Sequence, residues 1–163
     1  MAETQYETYD PEKHGRDTPQ ETFGPVVKVD KLEDGQIYVI TMNRPHRMNS
    51  MGDGLPEALY DAFAEFRDDP TGRVAILTGA GSKAFSAGAD LIATSETRQA
   101  QSADGRHRGY RAPRQGKDIV PLSEGMNLWK PTIAAVNGFA IAGGFMYAMQ
   151  CDIRIMAEHA RVG

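Results

Sequence analysis

Thr132 to Val136 is an apolar, strand-like run that ends at Asn137-Gly138. A turn of small residues follows, and Gly143-Gly144 opens a stretch that reads as a helix to Gln150. An earlier segment is built the same way. Ala75 to Thr78 reads as a strand, Gly79-Ala80-Gly81 follows, and then comes Lys83-Ala84-Phe85-Ser86-Ala87-Gly88-Ala89-Asp90. Strands that end in small-residue turns constrain the chain toward an α/β fold, in which ligand sites sit beyond the strand ends. A helix start presents unpaired N–H groups and the positive end of its dipole. Glycine there lets an oxygen approach the backbone closely. Two such loops could aim two N–H groups at one oxyanion, such as the enolate of a thioester. Equally open is a tight turn whose glycines serve geometry alone.

The rest of the chain supports the same class. Val26 to Val29 and Ile37 to Met42 read as strands joined in a hairpin through Glu33-Asp34-Gly35. Leu55, Leu59, Ala62, Phe63 and Phe66 recur at helical spacing, which predicts a helix from Leu55 to Asp68. Pro56 suits its first turn, and Asp69-Pro70-Thr71-Gly72 stops it. Arg73 to Thr78 is the next strand, so strand, helix and strand follow in the order that a parallel pairing requires. Ile119 to Trp129 is expected as a further helix, and Asp152 to Ala157 as a last strand. Residues 1–24 are polar and charged, with little periodicity, and read as a flexible N-terminal tail or a surface arm. Residues 95–117 are long, polar and locally basic, either a flap or a solvated loop.

Composition excludes several classes. A net charge of −4 over 163 residues does not suggest nucleic-acid binding. No apolar run reaches the roughly 18–20 residues of a membrane helix. The one cysteine, Cys151, lies in an apolar stretch and is expected to be an inert core thiol, which makes a reducing cytoplasm the simplest location. His46, His107 and His159 show no metal-ligand spacing, so no metal is expected. GAGSKAFSAG fits neither a phosphate-binding P-loop nor a dinucleotide fingerprint.

KAFSAGADL, KPTIAAVNGFAIAGG and CDIRIMAEHARVG, with ITMNRPHRMNSM upstream, resemble the enoyl-CoA hydratase/isomerase (crotonase) superfamily, with the motifs in the family's order. The resemblance implies a crotonase-like α/β fold of repeated ββα units wound in a spiral. Residues 25–163 would be the N-terminal portion of that domain, truncated before its C-terminal part. It also implies an acyl-CoA substrate, no cofactor other than the coenzyme A of the substrate, and a homotrimer or hexamer that needs the missing C-terminal half. Ala89 and Gly143 match the two backbone donors of the family's oxyanion hole.

The resemblance places Arg47 near the CoA phosphates, where a guanidinium suits phosphate, although a surface arginine with no ligand is the alternative. Lys83 falls near the pyrophosphate, and Ala87, Gly88 and Gly144 shape the two turns. Asp90 either caps a following helix or takes part in acid/base work. Met146 stands where hydratases of the family carry a glutamate, in a GGxxE arrangement, and methionine cannot exchange a proton. The family's second glutamate would fall just past Gly163. Asp118 and Glu124 are the nearest upstream carboxylates that could substitute. Simple hydration is therefore not the expected reaction. Isomerase, lyase or hydrolase chemistry remains, as does a non-catalytic acyl-CoA-binding or scaffold relative, or an inactive fragment.

Overall fold

Tyr38, Ile40 and Met42 alternate with half-buried neighbours along Ile37–Met42, and this period of two sets one face of a sheet inward. In the computed structural model, which describes residues 6–91 and 125–163, that strand (β2) pairs antiparallel with β1, Val27–Leu32. The turn between them carries Glu33, Asp34 and Gly35 at positive φ. β2 then runs parallel to β3, Val74–Gly79, β3 to β5, Thr132–Val136, and β5 to β7, Ile153–Met156. The sheet order is β1-β2-β3-β5-β7.

A second, smaller sheet consists of β4, Ala84–Ser86, β6, Phe139–Ala140, and β8, Arg161–Val162, all parallel. The chain thus alternates between the sheets: β3 then β4, β5 then β6, β7 then β8. Helix α2, Gly143–Gln150, follows the second of these pairs. β5, β6 and α2 together form the ββα unit that the resemblance implies.

Helix α1, Leu55–Asp68, buries Leu55, Leu59, Ala62, Phe63 and Phe66 in the same core as Tyr38, Ile40, Met42, Ala75 and Leu77. The Tyr38 and Phe66 rings lie 5.1 Å apart. Lys130 Nζ donates to the Phe66 carbonyl at 2.8 Å, satisfying one of the acceptors orphaned near the helix C-terminus.

Two readings need adjustment. Residues 125–129 form a turn and irregular chain, so the expected helix does not extend to Trp129, and 119–124 lie outside the described residues. β4, β6 and β8 were not foreseen as strands. Residues 6–24 take the form of a surface arm. The Glu7 N–H donates to the Thr22 carbonyl at 2.8 Å. Phe23 is buried between the rings of His14 and His46, at 5.1 Å from each. Asn43 Nδ2 ties the arm to the end of β2 through the carbonyls of Phe23 and Pro25.

β7 closes one edge of the larger sheet, and Ile153, Ile155 and Met156 on it are exposed, as is Met149 of α2. Among the described residues no helix is long and apolar enough to cross a membrane.

Candidate functional site

The ends of β4 and β6 stand side by side, and each leads into a small-residue turn. The Ile141 N–H donates to the Ser86 carbonyl at 2.9 Å, which joins the two turns at their base. Glycine is required where they touch. A Cβ on Gly144 would lie 2.3 Å from the Ser86 carbonyl oxygen. A Cβ on Gly88, whose φ is +80°, would lie 2.5 Å from the Ile141 oxygen and 3.1 Å from the Gly143 nitrogen. The backbone at Gly88 and the start of α2 are therefore in direct contact.

The orientation of the Ala89 amide follows from its own peptide plane. The Gly88 carbonyl accepts the Met51 N–H at 2.7 Å, within an isolated parallel bridge between Met51 and Ala89. A trans peptide points its N–H opposite its C=O, so the Ala89 N–H is directed away from Met51. Gly143 is the first residue of α2 and its N–H has no partner within the helix. Among the described residues neither amide donates a hydrogen bond. Ala142, which precedes Gly143, has φ 47° and ψ −117°, a costly conformation for a residue with a Cβ, and it persists where the surroundings enforce it. Its own N–H donates to the Gly163 carbonyl at 2.6 Å.

A cleft of about 450 Å³, within the range of small-molecule sites, opens beside this junction. Arg16, His46, Arg47, Met48, Ser50, Lys83, Ala87, Ala89, Asp90 and Leu91 line it. Of the residues singled out from sequence, Arg47, Lys83, Ala87, Ala89 and Asp90 meet here, and Gly88, Gly143 and Gly144 adjoin through the contacts above. Met146 is not among the residues that line the cleft, and it is 53% exposed. Asp118 and Glu124 lie outside the described residues, as do residues 95–117.

Three cations, Arg16, Arg47 and Lys83, share the cleft. Asp17 is 3.2 Å from Arg16 and 3.9 Å from Arg47, so the rim is only partly neutralised. Burial, followed by the charges of Arg44 and Arg47, holds the His46 pKa below the usual histidine range, which keeps the ring neutral near pH 7. Among the described residues no group of three His, Cys, Asp or Glu side chains could hold a metal.

Sequence reasoning missed Arg44. It is 1% exposed, and both of its terminal nitrogens lie 3.1 Å from Asp90 Oδ2. Ser50 Oγ adds a bond of 3.2 Å to the same oxygen. The available signal was chemical: an aspartate closing an apolar motif demands a charged partner if it is buried. Arg16 was also missed, because the arm that carries it has no periodicity.

Residues 33–163 match the family model described as enoyl-CoA hydratase/isomerase. The chain is 45% identical over 127 residues to a carnitinyl-CoA dehydratase from Salmonella arizonae, covering 78% of this chain and 44% of that protein. It is 39% identical over 127 residues to an (E)-benzylidenesuccinyl-CoA hydratase from Thauera aromatica, covering 78% and 46%. Among solved structures, an enoyl-CoA hydratase from Bacillus anthracis superposes with a TM-score of 0.64 at 32% identity, over 85% of this chain and 50% of that one. A carnitinyl-CoA dehydratase from Mycobacterium avium 104 gives 0.64 at 32%, over 86% and 50%. The chain spans about half the length of the curated relatives it matches.

Proposed function

The chain belongs to the enoyl-CoA hydratase/isomerase family, and from that premise we propose that it processes an acyl-CoA thioester by stabilising an enolate. The thioester oxygen lies between the N–H groups of Ala89 and Gly143. As a base removes the proton α to the carbonyl, negative charge moves onto that oxygen and both bonds strengthen. Each such donor is worth about 3–4 kcal/mol in the transition state. The observation that carries this reading is the contact of Gly88 with Gly143, combined with the Gly88 carbonyl fixed on Met51.

Arg47 and Lys83 take the CoA phosphates, with Arg16 beside them. A planar guanidinium binds phosphate oxygens in pairs, and lysine acts as a point charge. The chemistry draws on no cofactor beyond the CoA that the substrate carries. Relatives named for carnitinyl-CoA and benzylidenesuccinyl-CoA accord with a CoA ester as substrate.

Met146 directs the choice of reaction. It occupies the place of the first glutamate in the family's GGxxE arrangement and cannot carry a proton, so two-carboxylate hydration is disfavoured. A reaction with one acid/base group fits better: double-bond isomerisation, or a lyase, dehydratase or hydrolase variant. The same methionine motivates a second reading, a relative that binds acyl-CoA without turning it over.

The test is to incubate the full-length protein with a panel of enoyl- and hydroxyacyl-CoA esters and to follow products by mass spectrometry. Turnover of any ester supports the enzyme. Binding without turnover favours the second reading, and neither binding nor turnover overturns both.

A further inference from the structure

We infer that Arg44 is a positioning residue for the oxyanion amide of Ala89, acting as a staple that joins Ser50 to Asp90 across the Met51–Ala89 bridge. The inference rests on the reading of Ala89 as a donor to the thioester oxygen.

Among the described residues, the backbone bond from Met51 to the Gly88 carbonyl sets the plane of the peptide that carries the Ala89 N–H. The residues flanking that bridge are Ser50 on one side and Asp90 on the other, and Arg44 holds both. Its Nη1 donates to the Ser50 carbonyl at 2.6 Å and lies 3.2 Å from Ser50 Oγ and 3.1 Å from Asp90 Oδ2. Its Nη2 donates to Asp90 Oδ2 at 3.1 Å and also to Asp53. The root of the side chain is itself fixed: the Arg44 N–H donates to Asn49 Oδ1 at 2.9 Å, and the Asn49 N–H returns to the Arg44 carbonyl at 2.8 Å. Gly52 leaves room for the staple, since a Cβ there would lie 2.8 Å from Asp90 Oδ2 and 3.0 Å from Arg44 Nη1.

Stability alone is a poor account of this arrangement. The Arg44 and Asp90 side chains are 1% and 5% exposed, and at such burial the loss of hydration largely offsets the attraction. What the pair does supply is direction. A planar fork holds two partners in a fixed relative direction, whereas the three donors of an ammonium group rotate freely. It also offsets a carboxylate that lies next in sequence to the amide, where an unpaired negative charge would oppose charge on the thioester oxygen.

The probe is 4-dimethylaminocinnamoyl-CoA, whose absorption moves to longer wavelength when its thioester oxygen accepts strong hydrogen bonds. It is titrated into the full-length protein and into its Arg44→Lys and Asp90→Asn variants, each checked for a cooperative melt. The expected result is a red shift at saturation that falls by roughly half or more in both variants, while affinity changes by less than about threefold. A role confined to folding would leave the shift per bound probe unchanged. If only one variant folds, that one decides. Full retention of the shift overturns the inference and leaves the proposed function standing, and so does the failure of both variants to fold, which would mark the pair as structural. No shift with the unaltered protein overturns the proposed function itself.

Discussion

A methyl group added to Gly88 would come within 3.1 Å of the Gly143 nitrogen, so the turn after β4 and the first residue of α2 meet backbone to backbone. That contact brings the Gly143 nitrogen close to the backbone of Gly88, the residue before Ala89, which lines the cleft. Replacing Gly88 by Ala disturbs it twice over, through the positive φ of 80° and through a clash 2.5 Å from the Ile141 oxygen. The expected cost is about 1–3 kcal/mol of stability. Urea unfolding measures it, and a midpoint equal to that of the parent protein would contradict the contact.

Gly143→Pro removes the donor, since proline has no N–H. It also disfavours the φ 47° and ψ −117° of Ala142, because the residue before a proline is pushed to extended backbone. With any ester the full-length protein turns over, kcat should fall by about 10²–10³-fold, read at a temperature where the variant is still folded, and the melting temperature should fall as well. Unchanged kcat would remove Gly143 from the oxyanion hole.

Acid stability should depend on Tyr38. Its hydroxyl donates to the Asp69 carboxylate, and that bond, with the Thr71 N–H and Lys31, holds the Asp69 pKa below the usual carboxylate range. A lowered folded pKa stabilises the fold above the unfolded value, near pH 4, and this contribution is lost as pH falls through the folded value. Tyr38→Phe removes the largest cause, so acid unfolding, followed by circular dichroism, should begin at higher pH. An unmoved midpoint would show that the bond is not maintained.

Cys151 should be silent toward thiol reagents. It is 3% exposed, and burial pushes its thiol up from 9.0 to about 12. A disulfide reagent at pH 8 should react slowly with the native protein and rapidly after denaturation. The raised folded pKa also means that this group's contribution is complete below pH 9 and is lost between pH 9 and about 12. Fast labelling under native conditions would place the thiol at the surface.

Long, periodic elements were legible in the sequence. The spacing of Leu55, Leu59, Ala62, Phe63 and Phe66 gave the helix its observed bounds, Leu55–Asp68. The hairpin at Glu33-Asp34-Gly35 followed from its turn residues. β4, β6 and β8 were not legible, since strands of two or three residues within glycine-containing turns are too short to show a period of two. Sequence motifs marked Ala89 and Gly143. The pairing of Asp90 with Arg44 was hidden, because the two stand 46 residues apart and neither has a local pattern that points to the other.

The most direct measurement is a crystal structure of the full-length protein with a bound, unreactive CoA thioester. The expected result is a thioester oxygen about 2.7–3.1 Å from both the Ala89 and Gly143 nitrogens. An oxygen held by other groups, or reached by only one of the two amides, would contradict the account.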